Sequence, residues 1–276
     1  MPKKPDWQEI LLECKNNVQI SIKPFTETIK EVQPNLGVGA GGDIMKPMDL
    51  AAETAIVDVL KRKEVSFTLI SEESGVKKFG TAPEECFVTV DPIDGSTNFM
   101  HGLPFYCCSI AISNKSKLGN VYAGMVSDLV HGATYTALKD KGAFCNGEKI
   151  KPSSTTVLND SVIGLDLNTY KVKEIVPKLT PLIEQTKHIR HFGANALELC
   201  FVADGSTDAF VDIRGKLRTT DVAASFLILK EAGAIVTTPD NQPINMELDP
   251  KKTLSFVASG NKQIHEKILN LVKSEC

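Results

Sequence analysis

Apolar residues recur at helical spacing in the first part of the chain. From Asp6 to Glu31 they stand three or four positions apart, which predicts a long amphipathic helix that bends near Pro24. A second segment with this spacing, about Asp49 to Lys63, predicts another helix. Between them lie Pro34 and the glycine-rich stretch Gly37–Asp43. We interpret the glycine-rich stretch, which we call the flap, as a mobile loop.

Short apolar runs follow the second helix and predict a block rich in strands. The predicted strands are Phe67–Ile70, Phe87–Val90, Phe105–Ile112, Gly119–Val126 and Ala133–Leu138, and a hairpin end is predicted at Lys141–Gly147. The polar segment Lys151–Thr156 then interrupts the pattern. We therefore expect an N-terminal α+β subdomain of residues 1–152 and a C-terminal subdomain of residues 153–276.

Strands and helices alternate after this boundary, which is typical of α/β structure. The predicted strands are Ser161–Leu165, Ile189–Phe192, Ala209–Ile213, Ile235–Thr238 and Ser255–Ala258. The predicted helices are Val172–Gln185, Ala196–Ala203, Val222–Ala232 and Lys262–Lys273. The pattern as a whole predicts an α+β and α/β fold of layers, built from two subdomains in close contact.

Composition and charge exclude several classes of protein. The chain has 276 residues, of which 42% are hydrophobic, and this is enough for a sizeable core. A net charge of -3 is not typical of a protein that binds nucleic acid or an anionic membrane. We find no apolar signal segment at the start and no membrane-spanning run. Seven scattered cysteines without a CxxC pair indicate a reduced, cytoplasmic protein.

The residues most suited to binding metal and phosphate lie where one predicted strand ends. The run Phe87–Val90 leads into Asp91–Asp94, which contains two carboxylates, and then into Gly95–Thr97. Pro92 cannot donate to a sheet, so we expect the strand to end there. Glycine permits a tight turn, and serine or threonine caps a helix. Carboxylates bind hard cations and helix starts bind phosphate, so the segment predicts a site for metal and phosphate.

Further acids are available to complete such a site. Glu72 or Glu73 follows the neighbouring strand, and Asp221 stands where an apolar helix begins. Several carboxylates converging on two Mg²⁺ ions can support a phosphoryl displacement. The alternative is that these acids are ordinary turn residues, and that Asp221 only complements the helix dipole. A haloacid-dehalogenase site is excluded because two residues, not one, separate Asp91 from Asp94.

Three motifs together resemble the inositol monophosphatase family. They are Glu72-Glu73-Ser74, the segment Asp91–Phe99 with the sequence DPIDGSTNF, and Asp221-Val-Ala-Ala; the hairpin Lys141–Gly147 is also similar. The resemblance implies an αβαβα layered fold, hydrolysis of inositol 1-phosphate and a homodimer. It also implies two or three Mg²⁺ ions, with Mn²⁺ as a possible substitute and Li⁺ as an inhibitor.

The resemblance also implies a role for each matching residue. Glu72, Asp91 and the Ile93 carbonyl would hold the first metal, and Asp91, Asp94 and Asp221 the second. Catalysis would use a water that is activated by Glu72 with Ser96 as its hydrogen-bond partner and Asp49 behind that hydroxyl. Substrate would contact Asp94, the N–H groups of Gly95 and Ser96, and the backbone turn Gly193-Ala194.

One segment departs from the common family pattern and resembles the archaeal branch. Asp212-Ile213-Arg214 and Arg218 replace a shorter loop, and members of that branch often hydrolyse fructose 1,6-bisphosphate as well. Because a guanidinium can bind phosphate with two hydrogen bonds, Arg214 or Arg218 would suit a second phosphate, and Asp212 accompanies them. The alternative is an arginine that is ion-paired within the protein.

Two other functions remain as alternatives. A 3'(2'),5'-bisphosphate nucleotidase belongs to the same superfamily, but aromatic residues are only 6% of the chain and we expect no adenine platform near Gly193. A non-catalytic protein that binds RNA or RNA polymerase would need a basic surface, which the charge does not predict. The sequence leaves open the sugar that carries the phosphate.

Overall fold

The computed structural model describes residues 5–27 and 36–273. The helices in this part of the chain are α1 (Trp7–Glu27), α2 (Pro47–Arg62), α3 (Ser96–His101), α4 (Val172–Gln185), α5 (Asn195–Asp204), α6 (Thr219–Ala232) and α7 (Lys262–Lys273). The first eight strands are β1 (Phe67–Ser71), β2 (Gly75–Phe79), β3 (Phe87–Asp94), β4 (Cys107–Ser113), β5 (Val121–Asp128), β6 (Thr134–Leu138), β7 (Gly142–Cys145) and β8 (Glu148–Lys149). The later strands are β9 (Val162–Leu165), β10 (His188–Arg190), β11 (Ala209–Arg218), β12 (Ile235–Thr237) and β13 (Thr253–Ser259).

The strands form two sheets. The first sheet has eight strands in the order β2-β1-β3-β4-β5-β6-β7-β8, and only β1 and β3 in it are parallel. The second sheet has five strands in the order β10-β9-β11-β13-β12. Its strands β10, β9 and β11 are parallel, and β13 runs antiparallel to both of its neighbours.

Helices cover the sheets in three layers, each with its own apolar core. Helices α1 and α2 pack on one face of the first sheet around residues such as Ile56 and Val90. Helices α5 and α6 pack between the sheets, where Leu197 and Ile228 are fully buried. Helices α4 and α7 cover the outer face of the second sheet. The order of layers is therefore αβαβα, as the resemblance implied.

Two strand predictions were wrong next to the acidic segment. Strand β3 does not end before Pro92 but continues to Asp94, and its register with β4 shifts between Asp91 and Asp94. The proline therefore disturbs the pairing without ending the strand. Strand β11 likewise continues to Arg218, five residues beyond its predicted end at Ile213, and its register with β13 shifts between Asp212 and Leu217.

Other differences are small. The sequence did not predict β2, and helix α2 begins at Pro47 because proline suits the first turn of a helix. Residues 28–31 of the first predicted helix lie outside the described residues. The segment 151–156 connects the two sheets along the chain, and the division at residue 152 stays a prediction. The six cysteines of the described residues are free, and none of the described helices could span a membrane.

Candidate active site

Three carboxylates converge in one cavity. Oxygen atoms of Glu72, Asp91 and Asp221 all lie within 4.8 Å of one another. They come from the end of β1, from β3 and from the first turn of α6. Carboxylate oxygens at this separation can share a hard cation. The structure thus brings together acids that are far apart in the chain, and it selects Glu72 rather than Glu73 for the cluster.

The sheet register places two of these acids side by side. Strands β1 and β3 are parallel, and Ser71 pairs with Val90. The next residue of each segment is an acid, Glu72 in one and Asp91 in the other. Because neighbouring strands lie about 4.8 Å apart, the two side chains start from adjacent positions.

Asp221 both caps its helix and belongs to the cluster. Its carboxylate accepts the Arg218 N–H at 2.9 Å and the Thr220 hydroxyl at 2.9 Å, which ties down the start of α6. The two interpretations of Asp221 from the sequence, as a metal ligand and as an acid that complements the helix dipole, are therefore compatible. Capping fixes the direction of the side chain, and that direction is toward Glu72 and Asp91.

Arg218 lies against the acidic cluster. Its guanidinium contacts Glu72 at 2.5 Å and Asp43 of the flap at 2.8 Å, and it also donates to the Gly41 carbonyl at 3.1 Å. Burial lowers the pKa of Arg218, but the charges of Asp221 and Glu72 outweigh this and raise it overall. The contacts thus place Arg218 between the flap and the acids, in the ion-paired state that the sequence left open.

Burial and mutual repulsion raise the pKa values of the clustered carboxyls. Burial, then the charge of Asp221, raises the pKa of Glu72 well above its usual value. Burial, then the charges of Glu72 and Asp94, does the same to the pKa of Asp91. The pKa of Asp94 is raised to about 7, first by burial and then by Asp221. Such a group of acids favours bound protons or bound cations.

Two further carboxylate oxygens beside the cluster have no partner among the described residues. They are Oδ1 of Asp49 and Oε2 of Glu73, and both are buried. Burial raises the pKa of Asp49 to about 8. An unsatisfied buried oxygen is costly, and a cation removes that cost. The donor set consists of oxygen atoms only, so it fits a hard divalent ion such as Mg²⁺.

A lysine that the sequence analysis missed reaches the turn at Gly95 and Ser96. Lys46 precedes α2, and its Nζ donates to the Ser96 hydroxyl at 2.6 Å. Ser96 is the first residue of α3, and Gly95 rather than Ser96 caps this helix. Lys46 therefore adds a positive charge at the place where the sequence predicted phosphate.

Asp94 and Gly95 hold the second half of the chain against this turn. Asp94 accepts the N–H of Ala196 at 2.6 Å, which ties the start of α5 to the end of β3. Gly95 has φ 88°, and a Cβ there would lie 3.0 Å from the Phe105 carbonyl oxygen and 3.1 Å from the Ala194 side chain. Only glycine accommodates both the conformation and the close approach.

Asn98 joins the two turns that the resemblance assigned to substrate. Its amide donates to the carbonyls of Phe105 at 2.8 Å and Phe192 at 2.6 Å. Gly193 lines the cavity with φ +83°, whereas Ala194 is fully buried. The sequence analysis did not single out Asn98, although it directly follows the Gly-Ser-Thr turn.

Glu198 holds the backbone of Phe192 and Gly193 in place from the buried side. One of its oxygens accepts the N–H groups of Phe192 at 3.1 Å and Gly193 at 3.0 Å. The side chain is buried, and burial raises the pKa of Glu198 to about 8 from an ordinary 4.5. Its charge state therefore changes within a measurable pH range.

We expect Glu198→Gln to flatten the dependence of stability on pH. The pKa of Glu198 is raised in the fold, so its contribution is present below about 4.5 and is lost as pH rises through about 8. Glutamine keeps an acceptor for both N–H groups but does not titrate. Thermal unfolding between pH 5 and 9 should show a smaller decline for the variant.

Glu198→Ala is the matched comparison. Compared with Glu198→Gln, it removes the acceptor and should lower stability by about 2 kcal/mol at every pH, because two buried N–H groups lose their partner and neither variant titrates at this position. Parallel curves for the wild type and Glu198→Gln would contradict the assignment.

Buried ion pairs form the far wall of the cavity. Arg214 contacts Asp166 at 2.5 Å and Asp212 at 2.6 Å, and all three side chains are nearly inaccessible. His191 lies 3.7 Å from Asp166 and 3.0 Å from the Asn168 amide. Arg214 itself lines the cavity, while Asp212 is fully buried. The sequence analysis missed Asp166 and His191.

The cavity has a volume of about 940 Å³. It collects most of the residues that the sequence predicted for the site, namely Asp49, Glu72, Asp91, Ile93, Asp94, Gly95, Ser96, Gly193, Arg214, Arg218 and Asp221. Phe192 also lines it, and its ring packs against those of Phe105 and Phe201. Our expectation that no aromatic residues cluster near Gly193 was therefore wrong.

Comparison with known proteins identifies the family. The sequence model of the inositol monophosphatase family matches residues 13–275. This chain belongs to that family. It is 34% identical over 275 residues to a fructose-1,6-bisphosphatase/inositol-1-monophosphatase of Methanothermobacter thermautotrophicus, covering 97% of this chain and 96% of the relative. It is also 34% identical to a bifunctional NADP phosphatase/NAD kinase of Methanococcus maripaludis, covering 96% of this chain and 49% of that longer protein.

A solved structure agrees with this assignment. An inositol monophosphatase–fructose 1,6-bisphosphatase superposes with a TM-score of 0.85 at 31% identity, covering 97% of this chain and all of the other. The family member described here is a metal-dependent phosphoric monoester hydrolase. The resemblance to the archaeal branch and the layered fold are thus confirmed.

Proposed function

We propose that the protein hydrolyses inositol 1-phosphate, and also fructose 1,6-bisphosphate, with Mg²⁺ as its cofactor. The observation that carries the proposal is the cluster of Glu72, Asp91 and Asp221 beside the turn at Gly95 and Ser96, all in one cavity. Cation ligands and phosphate ligands lie together there. The relatives that are named for both substrates support the choice of sugar.

The proposed metal ligands are the residues that the resemblance assigned. Glu72, Asp91 and the Ile93 carbonyl form one set, and Asp91, Asp94 and Asp221 form the other. Bound Mg²⁺, in two or three sites, would neutralise charge on the phosphoryl oxygens and lower the pKa of water. Mn²⁺ would substitute and Li⁺ would inhibit.

The side chains around Ser96 orient the reacting groups. The Ser96 oxygen accepts from Lys46, so its own O–H remains to donate and one lone pair remains to accept. We propose that this hydroxyl, with Glu72 as proton acceptor, aligns the attacking water. Asp49 lines the same cavity and would support the arrangement electrostatically.

Substrate binding divides between the turn and the far wall. The N–H groups of Gly95 and Ser96 and the charge of Lys46 would hold the transferred phosphate. Asp94, the turn Gly193-Ala194 and the segment with Asp212, Arg214 and Arg218 would contact the sugar or a second phosphate. We also propose a cytoplasmic homodimer without nucleic-acid or membrane partners, in keeping with the free cysteines of the described residues and the net charge of -3.

A nucleotide phosphate is the second candidate substrate. Phe192 lines the cavity with 37% of its surface exposed, and it offers a face on which a base could stack. The NADP phosphatase named among the relatives acts on a phosphate of this class. A 3'(2'),5'-bisphosphate nucleotidase activity would use the same aromatic face.

The test is a phosphate-release assay over a substrate panel. We expect release from inositol 1-phosphate and fructose 1,6-bisphosphate with Mg²⁺, none with EDTA, and inhibition by Li⁺. Adenosine 3',5'-bisphosphate and NADP serve as comparison substrates. A kcat/KM for either nucleotide that is tenfold above both sugar phosphates would favour the second candidate. No release from any substrate would favour a non-catalytic binding protein.

A further inference from the structure

The cations of the cavity wall differ in how their charge is balanced. Arg218 is paired with Glu72, Asp43 and Asp221, and Arg214 is held between Asp166 and Asp212. Arg218 therefore already faces three carboxylates, and Arg214 faces two. A second phosphate on a substrate would have to compete with these acids for either arginine. A cation without such partners would bind the phosphate at a lower cost.

Lys216 is such a cation on the far wall. It is exposed, it lines the cavity, and it lies between Arg214 and Arg218 on β11. Its Nζ donates to the Asn168 carbonyl at 3.2 Å and stands 5.0 Å from the centre of the Tyr170 ring. No carboxylate of the described residues is ion-paired with it. An ammonium has three donors, so two remain for a ligand.

The loop beneath Lys216 is fixed by buried groups. Arg214 donates to the same Asn168 carbonyl at 3.0 Å, and the Asn168 side chain contacts His191 at 3.0 Å. Tyr170 is 99% exposed, so its ring and hydroxyl are accessible beside the ammonium. The ion pair of Arg214 thus positions the groups around Lys216 and is itself mostly shielded from solvent.

The position along β11 suits a substrate with two phosphates. Lys216 precedes Arg218 by two residues, which is about 7 Å of strand. Arg218 contacts Glu72 of the acidic cluster, where the transferred phosphate would bind. The other lysine of the cavity, Lys46, donates to Ser96 at that end. A sugar lying along the wall would carry its second phosphate toward Lys216.

We infer that Lys216, assisted by Tyr170, is the residue that binds the second phosphate of a sugar bisphosphate. With respect to this phosphate Arg214 is a positioning residue, and the substrate contact proposed for it above is then to the sugar. The inference rests on the proposed function, and it names a residue that determines specificity within that site. A substrate with one phosphate does not use Lys216.

The test is Lys216→Gln, assayed on fructose 1,6-bisphosphate and on inositol 1-phosphate. Losing one charge-assisted contact should raise the KM for the bisphosphate about tenfold or more and leave kcat nearly unchanged. Both constants for inositol 1-phosphate should stay within about twofold. Lys216→Arg should restore most of the affinity. Lys178→Gln on α4, an exposed lysine that does not line the cavity, is the matched control.

The outcomes separate this inference from the proposed function. If the wild-type protein hydrolyses both substrates, but Lys216→Gln changes neither KM or changes both equally, the role of Lys216 is overturned and the proposed function stands. Wild-type protein that hydrolyses inositol 1-phosphate but not the bisphosphate also overturns the role of Lys216. Wild-type protein inactive on both substrates overturns the proposed function. Because Lys216 is exposed, the variant should unfold at the wild-type temperature, and this is checked by circular dichroism.

Discussion

Asp91→Asn should abolish nearly all phosphatase activity while the protein stays folded. Asp91 is the acid shared by both proposed metal positions, and metal ions contribute several kcal/mol of charge stabilisation in such reactions. Each step of about 1.4 kcal/mol corresponds to about a tenfold change in rate, so we expect a loss of about a thousandfold or more in kcat/KM. The assay is phosphate release from inositol 1-phosphate under saturating Mg²⁺.

The same substitution should not lower the stability of the metal-free protein, although it removes activity. Burial and the charges of Glu72 and Asp94 raise the pKa of Asp91, so its ionised form is unfavourable in the metal-free fold. An uncharged amide of the same size removes this repulsion. In EDTA at pH 8 the variant should therefore unfold at or above the wild-type temperature.

Asp128→Asn provides the matched control for activity. Asp128 is also a buried aspartate at a strand end, but it caps a turn by accepting the N–H groups of Val130 and His131. This variant should keep activity within about twofold. Activity of Asp91→Asn close to that of the wild type would contradict the proposed metal site.

Mg²⁺ should stabilise the protein, and more strongly at pH 8 than at pH 6. The pKa of Asp94 is raised from 3.8 to about 7, and the pKa values of Glu72 and Asp91 are also raised well above their usual values. Stability of the metal-free fold is therefore present at low pH and is lost as pH rises through about 7. At pH 6 protons compete with the cation, whereas at pH 8 the ionised acids bind it.

The expected gain can be stated as a shift in unfolding temperature. Mg²⁺ at one hundred times its Kd contributes about 2.7 kcal/mol. For a protein of this size that corresponds to roughly 5–10 °C at pH 8, with a smaller gain at pH 6. Calorimetry with Mg²⁺ and with EDTA at both pH values measures it. Asp221→Asn should reduce the gain, and an equal gain at both pH values would refute the role of these acids.

The sequence predicted the acids of the site better than their surroundings. Asp91 and Asp94 were recognised because a strand pattern led directly into them, and Asp221 because it preceded an apolar helix. Lys46, Asn98 and Glu198 were missed because each acts through a contact with a residue distant in the chain, such as Glu198 with Phe192. No local pattern distinguishes such residues from ordinary polar positions.

On the wall opposite the acids, too, the sequence did not predict which residues contact one another. Arg214 was predicted as a ligand because a guanidinium suits phosphate, but its balance of charge depends on Asp166, which directly follows a different strand, β9. Phe192 has no aromatic neighbour along the nearby sequence, whereas packing brings the rings of Phe105 and Phe201 against its ring. Partners of this kind appear only when strands and helices are assembled.

The sequence by itself determined the family, the types of secondary structure and the acidic segment Asp91–Asp94, because these depend on local spacing and on residue chemistry. Tertiary structure decided that Glu72, through the parallel register of β1 and β3, joins Asp91, and that Asp221 reaches both. It also decided that Lys216 lacks a carboxylate partner among the described residues while Arg214 has two. The physical reason is that charge balance and burial depend on groups brought close by folding, and spacing along the chain does not specify them.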